Sequence, residues 1–84
     1  MNYASTIQSM ISKTREEISF TERLIQDFKN WKKEADEEGD LEEEYDCHAY
    51  LQKYRKQLAK LVSYQKYLKK ALAMEHAIAR LEGE

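Results

Sequence analysis

The sequence has no proline, two glycines and a single cysteine. With only Cys47, no disulfide forms within the chain, so a disulfide scaffold is excluded and a reducing, cytoplasmic setting is expected. Gly39 is the only Gly or Pro before Gly83. Strands need turn signals about every 8–12 residues, so a β protein is excluded. No apolar run approaches the roughly 18 residues of a membrane span. The start, Met1-Asn2-Tyr3-Ala4-Ser5, lacks a basic region followed by an apolar one, and no signal peptide is expected. Apolar residues make up 42% of the 84 and charged residues 36%, so any core is a narrow stripe. The length supports one domain, residues 1–84.

What remains is rich in Lys, Glu, Ala, Leu, Gln and Arg, the good helix formers. Ala4, Ile7, Ile11, Ile18, Ile25, Phe28 and Ala35 follow steps of three and four, with Thr14 and Thr21 completing the series. These are positions a and d of a seven-residue repeat abcdefg, and Met10, Leu24 and Trp31 add a row at g. The second half repeats the pattern through Cys47, Leu51, Tyr54, Leu58, Leu61, Gln65, Leu68 and Leu72. Beyond Leu68 the stripe drifts to Ala71, Met74, Ile78 and Leu81, as expected of a straight helix read against a strict heptad.

The break falls at Glu37-Glu38-Gly39-Asp40. Gly39 suits the left-handed residue that ends a helix, and Asp40 with Glu43 suits a capping box that starts the next. Ser5 with Gln8 offers a weaker box at the chain start, with Asn2 a competing cap. The spacing predicts a helix over about 3–37, a turn at 38–40 and a helix over about 41–82. The fold class is all-α, an antiparallel, coiled-coil-like two-helix hairpin. Such a hairpin leaves one side of each stripe uncovered, so it is expected to complete a bundle by homodimerisation or to dock on another protein. Polar seam residues support a defined assembly. Thr14 and Thr21 can bond back to the preceding turn, while Lys32 and Gln65 are costlier residues of the kind that fix register.

Charge is segregated. Residues 34–46 hold nine acids (Glu34, Asp36, Glu37, Glu38, Asp40, Glu42, Glu43, Glu44, Asp46) and no base. Residues 47–74 hold seven bases (Lys53, Arg55, Lys56, Lys60, Lys66, Lys69, Lys70) and no acid. The formal net charge of −2 hides both fields. Acids at the start of the second helix suit its dipole; those ending the first do not. A negative knob of this kind would suit a basic partner surface. Tyr50, Tyr54, Tyr64 and Tyr67 interleave with the bases, as in proteins that combine phosphate contacts with stacking. Against that, the pI is about 5.7, Tyr54 and Tyr64 are expected in the core, and Glu16, Glu17 and Glu22 fold back opposite this stretch.

Candidate chemistry is sparse. Glu44, Cys47 and His48 are the nearest approach to a metal cluster, and one Cys with two His falls short of a zinc set. The serines have no neighbouring His, and no nucleophile elbow, phosphate loop or dinucleotide fingerprint occurs. No catalytic residue, cofactor or metal is assigned, and the chain is read as non-enzymatic. Phe20, Leu24 and Trp31, with Phe28, form a second aromatic face at i, i+4, i+11 and i+8, and supply apolar anchors. The leading expectation is a small self-associating helical inhibitor or regulator. It docks on a partner protein through this face and the acidic tip, occludes a basic nucleic-acid-binding cleft, and would suit a virus or mobile element. The alternatives are a nucleic-acid-binding helical dimer using the 50–70 stretch and a structural coiled-coil adaptor.

Overall fold

Two long uninterrupted runs of helix formers separated by one glycine give two helices and little else. The computed structural model describes residues 3–83. Helix α1 spans Ala4–Glu38 and helix α2 spans Leu41–Glu82. They lie antiparallel in a rod of 68 × 15 × 14 Å. Its radius of gyration is 19.2 Å, whereas a compact domain of this length has about 12 Å. The expected boundaries hold to within one residue.

The turn is built from backbone bonds. Gly39 has φ 74°, the left-handed conformation that glycine adopts without steric cost. This aims its N–H at the Asp36 carbonyl (3.2 Å) and the Asp40 N–H at the Ala35 carbonyl (2.9 Å). The pair of bonds is a Schellman closure. Asp40 then caps α2: its Oδ1 accepts from the Glu43 N–H at 3.1 Å. Only half of the expected capping box forms, because the Asp40 N–H that Glu43 would bind is already held by Ala35. At the chain start Tyr3 is the cap residue, with no side-chain cap bond, and Ser5 lies inside α1 rather than capping it. Asn2 lies outside the described residues.

The seam runs as the spacing predicts. Ile11, Thr14, Thr21, Ile25 and Ala35 of α1 are buried against Cys47, Leu51 and Leu68 of α2. Ile7, Ile18, Phe28, Tyr54, Leu58, Leu61 and Leu72 are half-buried. Thr14 donates to the Met10 carbonyl at 2.7 Å and Thr21 to the Glu17 carbonyl at 2.8 Å. Each hydroxyl is thereby satisfied within its own helix and presents a methyl to the seam. Lys32 and Gln65 are half-buried.

The expected drift near the end of α2 does not occur. The seam keeps its a and d positions Leu72 and Glu75 half-buried; of the expected drift residues Ala71, at g, is half-buried, while Met74, Ile78 and Leu81 are exposed. Supercoiling against α1 holds the strict repeat for as long as α1 lies opposite. Since α2 has 42 residues and α1 has 35, the last turns of α2 have no helix opposite.

Two outcomes follow for stability. Gly39→Ala meets no atom within 4 Å, so its cost is conformational, about 1–2 kcal/mol. Gly39→Asn loses less in urea denaturation. Leu51→Ala, at a site 2% exposed, costs about 2–5 kcal/mol. A Leu51→Ala loss no larger than that of Gly39→Ala would contradict the assigned seam.

Candidate interaction surface

Antiparallel packing brings like edges of the two seams together, g beside g and e beside e. On the g edge, Phe28 stacks on Tyr50 (centroids 5.1 Å apart) and Tyr54 (5.7 Å) and takes Trp31 edge-on at 5.0 Å. Further along the same side, Glu17 and Phe20 of α1 share a shallow depression with Gln57 of α2. On the e edge, Lys32 Nζ lies 3.3 Å from His48 Nδ1. There Lys29, Lys32, Lys33 and Arg55 gather with Asp36 and Glu44.

The consequence is a two-sided rod. Among the described residues twelve large apolar ones are exposed, and ten occupy g or the adjoining c position: Tyr3, Met10, Phe20, Trp31, Tyr50, Tyr64, Tyr67, Met74, Ile78 and Leu81. They line one side from near the turn to the open end. The predicted anchors belong to this face: Phe20 is 57% exposed, Trp31 is 45% exposed and Leu24 is half-buried between them. Phe28 is instead a seam residue. Tyr64, expected in the core, is 42% exposed and stacks on Tyr67 at 6.5 Å. The α2 half of the face escapes sequence reading because Tyr50, Tyr64, Tyr67 and Met74 are interleaved with lysines. Writing heptad letters on α2 and matching g to g would have found it.

The tip carries the acids. Glu34, Asp36, Glu37, Glu38, Asp40, Glu42, Glu43 and Asp46 are exposed and Glu44 is half-buried. The two remaining exposed apolar residues, Leu41 and Tyr45, stand among them at 76% and 73% exposure. The Glu43 carboxyl is raised above its ordinary 4.5, first by loss of water and then by Asp40, Glu38 and Glu34. The Cys47 thiol is raised by burial, then by Glu43 and Asp46, with Lys32 opposing. That leaves it a seam residue with little thiolate. Among the described residues, no group of three or more His, Cys, Asp and Glu side chains could hold a metal ion.

The seven bases Lys53, Arg55, Lys56, Lys60, Lys66, Lys69 and Lys70 are all exposed. They spread around the outside of α2 at positions b, c, e and f. Lys53, Lys56 and Lys60 share one stripe with Ala49, Gln52 and Gln57, whereas Arg55 faces the e edge. Lys53 also lies 5.7 Å from the Tyr54 ring centre. Glu16 and Glu17 come across to Gln57 as expected. Neither helix is long and apolar enough to cross a membrane. No family model, curated protein or solved structure matches the chain.

The Glu43 shift fixes a sign. Folded Glu43 holds its proton more tightly than the unfolded chain does, so its ionised form opposes folding above the folded pKa. The opposition is relieved as pH falls through that value. Glu43→Gln therefore raises the melting temperature at neutral pH and leaves it unchanged where Glu43 is already protonated. A lower melting temperature at neutral pH would contradict this electrostatic picture.

Proposed function

We propose that the chain is a non-enzymatic protein–protein interaction module that self-associates and engages a partner protein with a basic surface. The observation that carries this reading is that most exposed large apolar side chains gather at the g and c positions of one side of the rod, interrupted by Lys13, Glu17, Asp27, Lys53 and Lys60, while the acids crowd its turn end. Ten half-exposed side chains at about 100 Å² each amount to about 1,000 Å² in all, spread along one side of the rod between charged residues. Faces of that size serve as interaction surfaces. The tip adds electrostatic steering, with Leu41 and Tyr45 as apolar contacts among the carboxylates. A basic nucleic-acid-binding cleft has the chemistry to receive such a tip, and filling it would inhibit the partner.

A second reading, nucleic-acid binding, draws on the Lys53, Lys56 and Lys60 stripe with Tyr50 and Tyr67 exposed nearby. It is the weaker of the two because the remaining bases point elsewhere.

The test compares two immobilised forms of the chain, the wild type and a tip variant with Glu42→Gln, Glu43→Gln, Glu44→Gln and Asp46→Asn. The wild type captures a basic protein that high salt or heparin releases, and the tip variant does not. Equal capture by both forms contradicts the role of the tip. Salt-sensitive binding of short duplexes or single strands, lost on neutralising Lys53, Lys56 and Lys60, would support the second reading instead.

A further inference from the structure

The apolar face needs an occupant, and its own charge pattern selects one. Reading position c along α1 gives Thr6, Lys13, Phe20, Asp27 and Glu34. Reversed about Phe20, the row is complementary to itself: Lys13 meets Asp27, Asp27 meets Lys13, and the outer Glu34 meets an uncharged Thr6. At position g the same reversal sets Met10 against Trp31 and Glu17 against Leu24, so Glu17 must turn aside toward the Lys13 of its own helix or to water. Phe20 stands 57% exposed between two depressions. One is bordered by Lys13 and Glu17, the other by Leu24 and Asp27. A second Phe20 with its flanking Asp27 and Lys13 fits that arrangement.

We infer that the face is covered by a second copy of this chain, packed antiparallel about a two-fold axis at Phe20, giving a four-helix bundle with an acidic tip at each end. The inference rests on the reading of this face as an interaction surface and assigns its occupant. About 1,000 Å² on one copy exceeds the roughly 800 Å² per partner of a stable complex. Orientation follows from charge. A parallel pairing would set two nine-acid tips side by side, whereas the antiparallel one separates them by the length of the rod. A two-fold axis lying across the face also places α1 on α1 and α2 on α2. The register that brings Lys32 to His48 sets Lys60 level with Phe20. Lys60 therefore meets Lys60 of the second copy, and its long side chain must reach outward to water. Phe20, Leu24 and Trp31 serve the dimer; Glu34, Glu38, Glu43 and Asp46, at g and c, border it at each end, and Leu41 and Tyr45 with the remaining acids of the tip stay free for a foreign partner.

The experiment combines light scattering with single-cysteine coupling in a Cys47→Ser background. The wild-type chain has twice its 10.0 kDa mass at about 100 µM. Phe20→Cys couples to itself on mild oxidation, whereas Glu34→Cys does not. Asp27→Lys weakens the dimer about tenfold, and adding Lys13→Asp restores it. Circular dichroism confirms that each exposed-site variant stays helical. A chain of single mass at that concentration, or a dimer in which Phe20→Cys couples only to Lys60→Cys, overturns the inference. A monomer that still captures a basic protein through its tip overturns this inference together with the self-association it rests on, and leaves the partner reading standing. An intact dimer without tip-dependent capture leaves this inference standing and overturns the partner reading.

Discussion

Two helices can share only one seam, and the rest of this structure follows from that limit. Each contributes positions a and d, and the layer they bury is thin: eight of the described residues are buried. Two of these, Thr14 and Thr21, are polar and are tolerated because their hydroxyls bond to the carbonyls of Met10 and Glu17 in their own helix. Every apolar side chain outside a and d is left at the edge or beyond it. Because antiparallel packing sets g beside g, those surplus residues gather on one side of the rod.

The turn makes that geometry definite. Gly39 ends α1 in a left-handed conformation and Asp40 starts α2 on the next residue. A connection this short leaves the helices no choice but to lie side by side. The same economy crowds carboxylates from both helix ends into one place. The acids of α2 sit with its dipole, while those ending α1 oppose theirs. The crowding is felt at Glu43, whose carboxyl is raised first by loss of water and then by its acidic neighbours Asp40, Glu38 and Glu34. A basic partner would relieve that crowding.

Much of this was legible in the residues. The hairpin, its turn and its seam follow from heptad spacing and one Gly-Asp pair, because local rules and packing agree there. Three features were not. The capping box closed by half, since two bonds competed for the Asp40 N–H. The end of α2 kept the heptad, since a neighbouring helix overrides the drift of a straight one. Tyr64 lies outside, since a tyrosine among lysines reads equally as core or surface until the opposing edge is known. At the candidate site, Phe20, Leu24, Trp31 and the acidic run could be named from one helix and the turn. The α2 half required both helices in place.

The seam alone does not hide the apolar surface of this chain; that association hides it is our proposal. Thermal unfolding followed by circular dichroism, over a range of about 1 to about 100 µM, tests it most directly. The account predicts a melting temperature that rises steadily with concentration, because folding and association are linked. A melting temperature independent of concentration, together with a single-chain mass throughout, would contradict it.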